Sequence, residues 1–83
     1  MEHYLFVVRS ATQAQRLARI LTSGGIRGTV QRVPVELAKQ GCTYAVRVDP
    51  SQFGAAQQRL QQAYLMPERV LRHSGGSYSE VAL

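Results

Sequence analysis

The stretch that decides the fold is Gly41-Cys42-Thr43-Tyr44-Ala45-Val46-Arg47-Val48. Its apolar residues alternate, so Tyr44, Val46 and Val48 share one face of a predicted strand. The sequence contains one cysteine, which follows a glycine and comes just before the alternating run. The stretch therefore predicts a strand with a thiol displayed at its start.

Downstream of this strand, Asp49-Pro50 predicts the start of a helix, with an acidic N-cap and a proline at the first helical position. The helix is predicted over residues 51–64. Phe53, Ala56 and Leu60 recur at helical spacing and are expected on its buried side.

The end of the chain contains a last strand and a predicted tail. Residues 68–73 form a short run with strand character after a turn at Met66-Pro67. Residues 74–83 have the composition of a linker. We therefore predict one domain over residues 1–73 and a flexible C-terminal tail over residues 74–83.

Upstream of the cysteine, the chain begins with a strand and a helix. Residues 3–9 are rich in aromatic and β-branched side chains, which favours a strand. Ser10, with Gln13 three residues later, predicts a capping box. Apolar residues at helical spacing then predict a helix over residues 11–23, ended by Gly24-Gly25.

The connection between this helix and the cysteine contains a second strand. Residues 26–33 alternate over part of their length, which predicts a strand near an edge of the sheet. Pro34 ends the strand. Residues 34–40 are compatible with a helical turn or two and equally with an irregular loop, which Gly41 closes.

The resulting element order is β-α-β-β-α-β. Short loops and right-handed crossovers leave few topologies for this order. We predict an α+β fold of the ferredoxin-like class, with two helices on one face of a four-stranded antiparallel sheet. The other face of the sheet is expected to be open and available for binding.

Composition limits the function classes. A single domain of 83 residues is poorly suited to enclosing a catalytic pocket, so a carrier or binding module is favoured over a stand-alone enzyme. The net charge is +5, but the basic residues are dispersed, which argues against nucleic acid as the partner. One cysteine excludes an internal disulfide, and no signal segment or membrane-spanning run is present, so we expect a cytoplasmic protein.

Cys42 is the candidate reactive group. A thiolate is stabilised by nearby cations, and Arg32, Lys39 and Arg47 are the basic residues expected around it. Gly41 carries no side chain that could shield the sulfur. A helix over residues 34–40 would act in the opposite direction, because its negative C-terminal end would raise the thiol pKa. The alternative is that Cys42 is a small buried residue at a strand start.

Other chemistries find less support. The sequence contains His3 and His73 but no Cys-x-x-Cys or His-x-x-x-His spacing, so we expect no metal site. No glycine-rich phosphate loop is present, and no cofactor is predicted. RNA binding would use Tyr4 or Phe6 with Tyr44 for base stacking on the open face. The third strand has one aromatic residue where the RNA-recognition module uses several.

Four segments together resemble a known bacterial family. They are Tyr4-Leu5-Phe6-Val7-Val8, Gly24-Gly25-Ile26, Val33-Pro34-x-Glu36-Leu37 and Gly41-Cys42-x-Tyr44-Ala45-Val46-Arg47-Val48. They resemble a family of small proteins described as selenium/sulfur carrier protein-like, over roughly residues 3–72. The resemblance implies that Cys42 is the family's cysteine and Arg47 the arginine that follows it. Thr43 departs from the pattern, since members often have glycine there.

The resemblance also implies a function. Cys42 would hold sulfur or selenium as a persulfide or selenosulfide. A protein such as a cysteine desulfurase would be the donor, and a second protein the acceptor. The alternative is a non-catalytic interaction or small-ligand-sensing module that forms a homodimer through its sheet.

Overall fold

The computed structural model describes residues 2–38 and 43–81. The strands and helices of these residues are, in order, β1 (His3–Val8), α1 (Ala11–Ser23), β2 (Thr29–Arg32), β3 (Tyr44–Val48), α2 (Phe53–Gln62), β4 (Arg69–Ser74) and β5 (Ser77–Glu80). Two short 3₁₀ turns accompany them in this part of the chain, at Val35–Leu37 and Pro50–Gln52. The fold is α+β, as predicted.

The described strands form one antiparallel sheet in the order β2-β3-β1-β4-β5. β1 lies between β3 and β4, where Phe6 pairs with Val46 on one side and with Val70 on the other. The order of the first four strands is compatible with the predicted ferredoxin-like sandwich. The described residues add a fifth strand to the predicted four.

The fifth strand lies in the segment that was predicted as a tail, over residues 77–80. Gly75 and Gly76 have φ of +60° and +82°, the left-handed conformations of a two-residue hairpin turn. This turn brings Ser77 opposite Ser74 and Tyr78 opposite His73. The glycines that suggested a linker therefore form a turn between paired strands.

Local sequence signals place α1 where it was predicted. The Ser10 hydroxyl accepts from the Gln13 amide at 3.1 Å, and the Gln13 side chain accepts from the Arg9 amide at 3.2 Å. Gly25 has φ of +78°, and the Ile26 amide donates to the Leu21 carbonyl at 2.9 Å, which closes the helix end. The N-cap of the predicted capping box is confirmed, and the returning bond of Gln13 goes to the Arg9 amide and not to the amide of Ser10.

α2 starts later than predicted. Residues 50–52 form a 3₁₀ turn, and the α-helix begins at Phe53. The carboxylate of Asp49 accepts from the Ser51 hydroxyl at 3.3 Å and, within the described residues, caps no backbone amide. The tighter first turn takes the place of the predicted N-cap.

The main core lies between the two described helices and one face of the sheet. Phe6, Val46 and Leu17 are each at most 1% exposed. The ring of Phe53 on α2 stacks on Tyr4 and on Phe6, with centroids 3.9 and 5.7 Å apart. The side chains that alternate toward this face therefore pack beneath the helices.

The opposite face carries a second apolar cluster, which we call the back cluster. Its buried members are Leu5, Val7, Val33, Ala45 and Leu71. Leu37 and Tyr78 pack against it from the segments that follow β2 and β4. The prediction of an open face is therefore wrong where the back cluster lies, because residues distant in sequence cover it.

Candidate functional site

The described residues on either side of the Cys42 segment are joined where the β2–β3 ladder ends. The Val33 amide donates to the Thr43 carbonyl at 2.8 Å, one step beyond the Arg32–Tyr44 pair of the β2–β3 ladder. We use the name carrier loop for sequence positions 34–42, of which the structure describes 34–38. Cys42, Gly41 and Lys39 lie outside the described residues, so the structure describes the start of this loop and its two flanking strands.

The start of the carrier loop is a single tight turn. The Leu37 amide donates to the Pro34 carbonyl at 2.9 Å, and Ala38 then returns to an extended conformation with ψ of 131°. A turn of three residues does not build up the dipole of an α-helix. The expected raising of the thiol pKa by a helix C-terminus therefore has no basis in residues 34–38.

Two contacts hold this turn on the sheet. The Leu37 side chain packs on the back cluster, and the Leu37 carbonyl accepts a hydrogen bond of 2.8 Å from Arg69 Nη1. Arg69 Nε also pairs with Glu80 at 3.2 Å, and the Arg69 side chain is only 15% exposed. One partly buried guanidinium thus joins the start of the carrier loop, β4 and β5.

Arg32 lies at the base of the loop. Its Nη1 donates to the Tyr44 hydroxyl at 3.1 Å, and its guanidinium carbon lies 5.0 Å from the centroid of the Tyr44 ring. Cation–π contact of this kind fixes the orientation of a guanidinium that remains exposed. The charged group of Arg32 is therefore held beside Tyr44, the first residue of β3.

Arg47 occupies a different place. It pairs with Thr29 in the β2–β3 ladder, whereas Arg32 pairs with Tyr44. Three residues along a strand separate Tyr44 from Arg47, about 10 Å, and side chains at odd separations point to opposite faces. The structure therefore does not bring Arg47 together with Arg32, and Arg47 instead lines a cavity of about 600 Å³.

The aromatic residues considered for base stacking lie on the helix side. Tyr4 and Phe6 stack beneath Phe53, and Tyr44 packs against the main core. The back cluster on the other face is aliphatic apart from Tyr78 at its margin. The stacking platform that RNA binding would need is thus not formed by these residues.

Sequence reasoning missed two features near the loop. Arg69 carried no local signal, because its contact with Leu37 joins residues 32 positions apart. The exposure of two apolar side chains was also missed: Val35 in the loop is 88% exposed and Val30 on β2 is 37% exposed. The proximity of β-branched residues to Cys42 in sequence was the one available hint of such a surface.

The described residues form a small α+β domain, and the one cysteine of the sequence falls between β2 and β3. A family model described as "Putative Se/S carrier protein-like" matches residues 3–72, and the chain belongs to this family. No curated protein and no solved structure matches the chain. Across residues 2–38 and 43–81, no helix has both the length and the apolar character needed to cross a membrane.

Proposed function

We propose that this protein carries sulfur or selenium on Cys42 between a donor protein and an acceptor protein. The observation that carries the proposal is the closed base of the carrier loop, where Val33 bonds to Thr43 at 2.8 Å. Cys42 directly precedes Thr43 in the sequence, two positions before β3 begins at Tyr44. Membership of the carrier family supports the same function.

The transfer step is a thiol exchange. The Cys42 thiolate attacks the outer sulfur of a persulfide on the donor, such as a cysteine desulfurase. The new sulfur–sulfur bond forms on Cys42 as the donor's bond breaks, and the donor cysteine leaves as a thiolate. The acceptor's nucleophile then takes the outer sulfur and releases the Cys42 thiolate. A selenium atom in the outer position follows the same course.

The basic residues assigned to the thiolate are Arg32 and Lys39. Arg32 is fixed at the loop base by Tyr44, and a cation near a thiol lowers its pKa by favouring the charged form. Gly41, the residue before Cys42, has no side chain that could shield the sulfur. We do not assign Arg47 to the thiolate, because the strand separates it from the loop base.

The surface beside the loop suits a protein partner. Val35 and Val30 are exposed apolar side chains, and Arg32 is an exposed cation between them in sequence. Apolar contacts surrounded by charge are typical of transient interfaces. Donor and acceptor are expected to present acidic surfaces to this region, since the chain carries a net charge of +5.

The experiment is alkylation of the folded protein by iodoacetamide as a function of pH. We expect a midpoint below the ordinary thiol pKa of ~8.5. Arg32→Gln should raise this midpoint by about half a unit or more. Arg16→Gln, an equal change of charge on the exposed side of α1, should leave it unchanged.

Two results would contradict the proposal. One is a thiol that reacts only after the protein unfolds, which would make Cys42 a buried structural residue. The other is an equal shift of the midpoint in Arg32→Gln and Arg16→Gln, which would reduce the role of Arg32 to a general effect of net charge.

A further inference from the structure

A second site lies at the other end of the sheet, in the cavity that Arg47 lines. This cavity of about 600 Å³ is formed where β1 begins and β3 ends, and Arg27 lines it from the connection between α1 and β2. Its volume is in the range of small-molecule sites, roughly 300–1,000 Å³. It is separated from the carrier loop by the length of β3.

Some of the charged side chains that line the cavity have a hydrogen-bonding or ion-pair partner among the described residues, and others have none. Glu2 pairs with Arg72 at 3.5 Å, and Asp49 accepts from the Ser51 hydroxyl at 3.3 Å. In the part of the chain that the structure describes, the guanidinium groups of Arg27 and Arg47 make no hydrogen bond or ion pair. Among the described residues Asp49 is the one lining carboxylate without an ion pair, so the two unpaired guanidinium groups leave a positive surplus at this cavity.

The backbone that carries the two arginines is well fixed. β3 is paired with β1 on one side and with β2 on the other, which holds Arg47 in the sheet. The Arg27 amide donates to the Gln52 side chain at 3.4 Å, which ties its segment to the turn before α2. The neighbouring Ile26 is buried in the main core. Both arginines thus line one cavity from ordered backbone.

We propose that this cavity binds a small molecule through an oxyanion, either a phosphate or a carboxylate, held between Arg27 and Arg47. Guanidinium groups bind planar or tetrahedral oxyanions through two parallel hydrogen bonds. Thr29, which also lines the cavity, supplies a hydroxyl group for the same oxygens. The inference is independent of sulfur transfer, because it does not involve Cys42.

Titration followed by NMR tests the site. Inorganic phosphate and succinate are added separately to the full-length protein at constant ionic strength, with chloride as the balancing anion. We expect saturable shifts of the Arg27, Thr29 and Arg47 amides. The anion that saturates at lower concentration identifies which oxyanion the site prefers.

Matched variants separate a site from general charge. Arg27→Gln/Arg47→Gln should weaken binding by about tenfold or more, because two charge-assisted contacts are lost. Arg16→Gln/Arg19→Gln makes the same change in charge on the exposed side of α1 and should bind as the unaltered protein does. Thermal melting of both double variants confirms that they are folded.

Either of two results overturns the proposal: neither anion gives saturable shifts at these amides, or both double variants lose binding to the same extent. This test is independent of the proposed carrier function, because the anion titration does not involve Cys42. Either proposal can fail without the other.

Discussion

Arg69 Nη1 donates a hydrogen bond of 2.8 Å to the carbonyl oxygen of Leu37, a residue 32 positions earlier in the chain. This bond joins β4 to the start of the carrier loop. Glu80 holds the same guanidinium at 3.2 Å, so the loop, β4 and β5 share one partly buried cation.

Arg69→Met should therefore loosen the carrier loop as well as the sheet edge. Hydrogen bonds to a charged group contribute about 1.5–3 kcal/mol, so we expect a loss of this order in the free energy of unfolding. Denaturant titration measures the loss. Because the start of the loop is released, the alkylation rate of Cys42 at fixed pH should also change.

Arg72→Met is the control for Arg69→Met. Arg72 pairs with Glu2 at 3.5 Å with both side chains about half exposed, and such pairs contribute at most about 1 kcal/mol. Equal losses in the two variants, with unchanged alkylation in both, would show that Arg69 does not anchor the loop.

Two glycines give opposite predictions for substitution by alanine. A Cβ at Gly28 would lie 2.8 Å from Val46 Cγ1 and 3.3 Å from Leu21 Cδ1, inside the main core. Overpacking of this kind costs about 1–3 kcal/mol, so Gly28→Ala should lower the free energy of unfolding. Gly54→Ala meets nothing within 4 Å and should raise it by up to about 1 kcal/mol. Urea unfolding measures the free energy of unfolding of both variants. A Gly28→Ala variant more stable than the unaltered protein would contradict the close packing at Gly28.

The backbone of Tyr64 has a left-handed conformation, which is strained for a residue other than glycine. Tyr64 follows α2 with φ of +54° and is 94% exposed. Its amide donates to Gln61 and the Leu65 amide donates to Leu60, the bonds that normally accompany glycine at a helix end.

Tyr64→Gly should therefore stabilise the protein by about 0.5–1 kcal/mol, since relief of the left-handed strain exceeds the entropy cost of glycine. Tyr64→Ala keeps the strain and should give no such gain. Calorimetry compares the two melting temperatures, and equal values would argue against a left-handed residue at this position.

β5 allows a test of whether residues 77–80 contribute to the stability of the folded sheet. Tyr78 bonds through its hydroxyl to His3 Nε2 at 3.1 Å and packs against the His73 ring at 4.6 Å. Tyr78→Ala should lower the free energy of unfolding by about 1–2 kcal/mol, because a partly buried aromatic side chain is removed. Ser79→Ala, on an exposed neighbour, should change it by less than about 0.5 kcal/mol. A flexible tail would tolerate both changes equally.

The parts of the fold that depend on neighbours in sequence could be predicted. Ser10, Gln13 and Gly25 act within one turn of α1, and the helix runs over the predicted residues 11–23. The alternation of β3 correctly placed Tyr44, Val46 and Val48 on one face. Such signals are local, so a single sequence contains them.

The parts that depend on distant pairing could not be predicted. The strand pattern alone does not reveal that Arg32 pairs with Tyr44 and Arg47 with Thr29, and this register separates two of the predicted site residues. Coverage of the back cluster requires Leu37 to meet Arg69 across the sheet. Gly75-Gly76 fits a linker and a hairpin turn equally well until Tyr78 is seen against His73.

The central claim is that Cys42 carries the transferred atom, and intact-protein mass spectrometry tests it most directly. The reduced protein is incubated with a cysteine desulfurase and cysteine, and its mass is measured before and after treatment with a thiol reductant. We predict a gain of one sulfur atom, removed by the reductant, and no gain in Cys42→Ala, which should fold as the unaltered protein does. A folded protein that gains no sulfur, or a Cys42→Ala variant that gains as much as the unaltered protein, would contradict the account.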